Sequence, residues 1–90
     1  MNAAELLAAQ RIVPVVVIDD ASHAVPLAET LLESGLHAIE VTLRTAAGLD
    51  AIERIANAVP GMLVGAGSVR RAAQVADVKA AGARFAVSPG

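Results

Sequence analysis

Ninety residues, 56% of them hydrophobic and 18% charged, with a formal charge of -2, describe one globular domain at most and offer no basic footprint for nucleic acid. A single Phe with neither Trp nor Tyr leaves no platforms for base stacking, and the lack of cysteine excludes disulfides, thiolate metal sites and a thiol nucleophile. A mean hydropathy of +0.60 is rich for so short a chain, which buries only about 60–65% of its unfolded surface, so something else is expected to cover part of it.

Ala3 to Gln10 is rich in Ala and Leu, with Asn2 as a candidate cap, and reads as a short leading helix. No basic region leads into an apolar one, so no secretory signal is expected and the cytoplasm is the default compartment. Ile12 to Ile18 follows without polar alternation, as in a strand buried on both faces of a parallel sheet. It is far short of a membrane span of roughly 20 residues, and Pro14 within it argues for an edge strand. Leu27, Ala28, Leu31 and Leu32 mark a helical stripe that ends at Gly35, with Pro26 tolerable in the first turn. Ala38 to Leu43 is a second strand. The stripe Leu49, Ile52, Ile55, Ala56 and Val59 is a second helix stopped by Pro60-Gly61. Met62-Leu63-Val64 is a third strand running into Gly65-Ala66-Gly67-Ser68. Ala72 to Ala81 is a third helix with Val75 and Val78 inward, and Phe85-Ala86-Val87 is a fourth strand.

Strands alternating with helices, with strand starts about 22–26 residues apart, imply right-handed crossovers and a parallel sheet. Two α/β architectures fit: a small open sheet, or the first half of an eight-stranded (β/α) barrel. In both, function sits at the C-terminal ends of the strands.

Those ends carry the polar residues that matter. Glu40 lies between Ile39 and Val41, where a carboxylate loses hydration and its pKa is expected to rise toward a value useful for proton transfer. The competing reading is an ion pair with an arginine. Glu40 and Arg44 share one face of the strand but stand about 13 Å apart along it, so both side chains would have to lean together. Arg44 offers a planar fork for a carboxylate or phosphate, or else a solvated rim charge. Thr42 between them reads as a β-former lining the interior. Gly65-Ala66-Gly67-Ser68 looks like an anion-binding turn before a helix, though Arg70 stands where a dinucleotide fingerprint needs its third glycine. Asp19 and Asp20 suit a helix cap better than a metal. His23 and His37 lack partners at ligand spacing, Arg70 and Arg71 could draw a phosphate but read better as a solvated patch, and Lys79, the only lysine, reads as a surface residue near a helix end.

Three segments in order, Ile39-Glu40-Val41-Thr42-Leu43-Arg44-Thr45, Val64-Gly65-Ala66-Gly67-Ser68-Val69 and Phe85-Ala86-Val87-Ser88-Pro89-Gly90, closely resemble the 2-keto-3-deoxy-6-phosphogluconate (KDPG) aldolase family. Val13-Pro14-Val15-Val16 and His23-Ala24-Val25-Pro26 resemble it too, so the likeness covers all ninety residues. The resemblance implies α/β architecture, with parallel βα units forming the first half of a (β/α)8 TIM barrel, residues 1–90 being a single partial domain. It implies a class I lyase, usually trimeric, in which a lysine forms a Schiff base with the keto carbon and retro-aldol cleavage yields pyruvate and glyceraldehyde 3-phosphate without metal or other cofactor. By resemblance Glu40 is the catalytic proton shuttle, Arg44 and Ser68 bind the substrate carboxylate, and Pro89 lines the pyruvate pocket. Ser68 falls where many members have threonine, which keeps the hydroxyl and loses a methyl. The Schiff-base lysine of the family lies on a sixth strand, beyond Gly90, and Lys79 does not match it.

The expected partner is therefore a small keto acid, with neither nucleic acid nor membrane, in the sugar-acid catabolism known as the Entner-Doudoroff pathway. Alternatives are a 2-keto-4-hydroxyglutarate aldolase, a non-catalytic half-barrel that associates through its unpaired edges, and a metal-dependent aldolase or other phosphate-handling barrel using Asp19 or Asp20.

Overall fold

The computed structural model describes Glu5, Gln10 and residues 12–88. Glu5 is helical, but the rest of the expected leading helix, apart from Gln10, lies outside the described residues, as does Pro89. The elements are β1 (Val15–Val16), a 3-10 turn (Ala21–His23), α1 (Ala24–Glu33), β2 (Ala38–Thr42), α2 (Gly48–Ala58), β3 (Leu63–Gly67) and α3 (Ala72–Ala81).

The three strands form a parallel sheet in the order β1-β2-β3, with Val15 opposite Glu40, and Glu40 opposite Gly65. The expected fourth strand is a single parallel bridge between Ala66 and Ala86, extended by backbone bonds from Arg84 N–H to Val64 O (2.9 Å) and from Val87 N–H to Ala66 O (2.8 Å). β1 is shorter than the expected Ile12–Ile18. Pro14 gives no N–H to a ladder, although its carbonyl accepts the Glu40 N–H at 3.0 Å, and β1 forms the edge of the sheet. Nor is this strand buried on both faces. Val15 and Val17 are 59% and 49% exposed, while Ile18, of opposite parity, is 4% exposed.

Parity decides the architecture. Ile39, Val41, Val64 and Ala66 point to one face and pack there with Ala28 of α1, Ile52 and Ile55 of α2, and Val78 and Ala81 of α3. All three helices therefore cover the same face, as right-handed crossovers require when strands are added in one direction. An open doubly wound sheet would carry helices on both faces. The other face, which holds Glu40, has none of them.

Helix ends follow the local chemistry. Asp20 accepts from Ser22 N–H at 3.0 Å and opens the 3-10 turn. Pro26 sits in the first turn of α1, and Gly82 closes α3 at φ 105°, a left-handed conformation that costs glycine no Cβ clash. Val75, expected inward, is 48% exposed. Val78 and Ala81 are the buried residues of α3, which touches the body along a narrow line.

The near edge of β2 is closed by one side chain. Gln10 Oε1 accepts the His37 and Ala38 N–H groups at 2.9 and 3.0 Å, and its Nε2 donates to Ala38 O at 2.9 Å and to Ile12 O. At the far end Thr45 Oγ1 donates to Ile18 O and ties the β2 exit to the β1 exit.

Candidate functional site

On the sheet face free of α1, α2 and α3, which is helix-free among the described residues, β2 presents Glu40 and Thr42, and β3 presents Gly65 and Gly67 beside them. A Cβ added to Gly67 would overlap the Glu40 carboxylate, and one added to Gly65 would overlap the Phe85 ring. The two bare positions of β3 thus hold a half-buried carboxylate from the strand before and an aromatic ring from the segment after. Gly65-Ala66-Gly67 is strand, not the turn expected from its glycines; only Ser68 lies past the strand, at φ 60°. The glycines serve close side-chain approach here, and the wedge they leave is filled by Glu40 and Phe85.

The ion pairs within 4.0 Å among the described residues are Asp50–Arg54 and Asp20–His23, so Glu40 and Arg44 are not paired. Thr42 is 1% exposed and its Oγ1 accepts the Arg44 N–H at 3.4 Å, a long contact at the point where the chain leaves the strand. Arg44 itself is exposed on the rim.

Next to it on the rim is a groove of about 290 Å³ lined by Leu43, Arg44, Ser68, Arg70 and Gln74. It brings together the ends of β2 and β3, because Leu43 N–H donates to Gly67 O at 2.9 Å. Gln74 Oε1 accepts the Arg70 and Arg71 N–H groups at 2.7 and 3.1 Å and fixes the backbone between Ser68 and α3. Arg44 and Ser68 therefore share the C-terminal end of β2 and β3, Glu40 stands in the middle of β2 with its carboxylate reaching toward Gly67, and Pro89 lies outside the described residues.

The remaining candidates fall elsewhere. Asp20 spends Oδ1 on the Ser22 hydroxyl at 2.8 Å and on its N–H; these bonds hold its carboxyl below the ordinary aspartate range. Lys79 is exposed in the last turn of α3, on the helix layer across the sheet from Glu40. His23 and His37 are exposed. Gly65 and Gly67, expected as an anion-binding turn, instead make room on the strand for Glu40 and for Phe85, to which the sequence analysis gives no role in the site. Their signal is the alternation of glycine at period two opposite a strand that carries a carboxylate.

The family model for KDPG and KHG aldolases matches residues 3–90. A 2-dehydro-3-deoxy-phosphogluconate aldolase of Pseudoalteromonas atlantica is 57% identical over 79 residues, which are 88% of this chain and 37% of that protein. The KHG/KDPG aldolase of Escherichia coli K12 is 47% identical over 99% of this chain and 42% of its own length. Among solved structures, the 2-keto-3-deoxy-6-phospho-gluconate aldolase of Zymomonas mobilis ATCC 29191 superposes with a TM-score of 0.90 at 42% identity, over 100% of this chain and 43% of its own. The KDPG aldolase of Legionella pneumophila, with pyruvate captured as a covalent carbinolamine, superposes at 0.89 with 49% identity, over 94% of this chain and 41% of its own. This chain thus spans about two fifths of the length of the relatives it matches. Its one-sided layering of helices on parallel strands is the first half of a (β/α)8 barrel. The chain belongs to the KDPG and KHG aldolase family.

Proposed function

We propose that these ninety residues supply the proton-shuttling and carboxylate-binding side of a class I aldolase that cleaves 2-keto-3-deoxy-6-phosphogluconate to pyruvate and glyceraldehyde 3-phosphate. The observation that carries the reading is the Glu40 carboxylate held against Gly67 on the helix-free face, with Arg44 and Ser68 at the adjoining rim. Glu40 is the acid–base group: it delivers the proton with which the carbinolamine oxygen leaves as water, and it exchanges protons with the enamine after carbon–carbon cleavage. Arg44 and the Ser68 hydroxyl hold the keto-acid carboxylate, and Pro89 lines the pyruvate side. The covalent carbinolamine of the Legionella relative supports a Schiff-base route.

The nucleophile in this reading is a lysine outside the ninety residues. Lys79, on the far side of the sheet, is not it. We further propose a trimer working in the cytoplasm, within Entner-Doudoroff sugar-acid catabolism. A second substrate, 2-keto-4-hydroxyglutarate, is favoured by the double name of the E. coli relative, since both substrates present the same keto-acid end to this half.

In the full-length enzyme, Glu40→Gln should lower kcat by roughly 10²–10⁴ and leave KM within a few fold, because it removes a proton relay and not a substrate anchor. An unchanged kcat would end the assignment. In parallel, borohydride reduction in the presence of pyruvate should leave the isolated ninety residues unlabelled; an adduct at Lys79 by mass spectrometry would move the nucleophile into this chain.

A further inference from the structure

We propose that Arg70 is a second anion-binding side chain of this rim, and that with Arg44 it selects a small carboxylate-bearing keto acid over a neutral ketone of the same size. The proposal rests on the keto-acid reading above and adds a residue to it. Arg44 leaves the end of β2 and Arg70 follows the end of β3, and the two line one groove with Ser68 between them. Neither guanidinium lies within 4.0 Å of a carboxylate among the described residues. Two like charges facing one small groove repel each other, and an anion between them relieves that repulsion while accepting their planar N–H forks.

The backbone at this place is already committed. Gln74 Oε1 takes the N–H groups of Arg70 and Arg71, so these two amides are occupied and it is by its guanidinium that Arg70 can reach a ligand. The same two bonds hold the Arg70 segment in one position, which lowers the entropy lost when its side chain closes on an anion. The charge is also local: the ninety residues together carry -2, so this groove is a positive spot on a chain of the opposite net sign and should draw an anion from solution. Arg71, the next residue, does not line this groove; it lines the neighbouring one, which Arg70 also borders, with Val69, Ala72 and Val75, and so serves as a control for diffuse charge.

The test is calorimetric titration of the full-length protein with pyruvate and, separately, with hydroxyacetone, a neutral ketone, at low and high salt. Arg70→Gln should weaken pyruvate binding by roughly three- to tenfold and flatten its salt dependence, since both side chains are exposed and partly screened. It should leave hydroxyacetone binding where it was, and Arg71→Gln should leave both unchanged. Wild-type affinity for pyruvate in Arg70→Gln, or an equal loss in Arg71→Gln, would overturn the role of Arg70. Arg44→Gln separates the two layers of inference. A loss with Arg44→Gln but not with Arg70→Gln removes only the present proposal, whereas no loss with either removes the carboxylate-binding reading as well.

Discussion

A carboxylate can rest against β3 because position 67 has no side chain, and that makes the pair Glu40 and Gly67 separable by mutation. Gly in a strand interior is worth about 0.5–1 kcal/mol less than Ala, so Gly67→Ala should stabilise if nothing occupied the space. Something does: the added Cβ would overlap the Glu40 carboxylate, which must swing aside, and the cost is at most the low end of the range of about 1–3 kcal/mol for overpacking in a core. The effect of the substitution should therefore depend on residue 40. Gly67→Ala is expected to lower the urea midpoint, or leave it level, in the wild-type background and to raise it in Glu40→Ala. A coupling smaller than about 0.3 kcal/mol across this cycle would mean the carboxylate does not sit there. The same clash should displace Glu40 and cost turnover, which gives Gly67 a positioning role that no property of glycine alone would announce.

At the scale of elements, one glutamine does the work of a missing strand neighbour. Gln10 accepts the His37 and Ala38 N–H groups and donates to Ala38 O, so three backbone groups at the start of β2 depend on its side chain. Gln10→Ala should cost about 1–3 kcal/mol by leaving the partly buried Ala38 N–H and C=O unsatisfied, and Gln10→Glu should recover the two accepted bonds while losing the two donated ones. Amide exchange at Ala38 reports it directly: exchange no faster than wild type in Gln10→Ala would dismiss the idea. This contact spans 28 residues and has no local signal, which is why sequence periodicity missed it. The helices were legible for the opposite reason. Ile52 and Ile55 repeat at helical spacing, and both α2 and α3 stop at Pro60 or Gly82, residues whose backbone forbids or redirects the next turn. Strand limits were read less well. Gly65 and Gly67 mimic a turn in composition, and only the neighbours that fill their empty sides, Glu40 and Phe85, make them a strand. Glu40 and Arg44 stood out because charge inside an apolar run is rare, whereas Phe85 was hidden by looking like any core residue.

At the largest scale, the described residues leave two strand edges unpaired, and the edges differ from each other. At one, β1 carries exposed Val15 and Val17, with Ile12 70% exposed beside them. At the other, the Arg84–Val87 segment bonds to β3 on one side only, with Val75 and Val87 48% and 43% exposed. Strands of one direction bounded by two unlike edges can close by pairing the first edge of one copy with the last edge of another, and two such contacts related by a two-fold axis complete a ring of eight when the bridged Arg84–Val87 segment of each copy joins its three strands. Unpaired, apolar strand edges favour that closure over solvent. The ninety residues studied alone should therefore sediment as a concentration-dependent dimer. Lysine at both Val15 and Val17 should shift the population to monomer, since each places a charge on the face that ring closure would enclose. The substitutions face the helix-free side and leave the Ile39, Ile52 and Ile55 core untouched, so thermal unfolding of the monomer should remain cooperative. A stable, monodisperse monomer of the unsubstituted chain across a hundredfold range of concentration would show that the edges are satisfied without a partner.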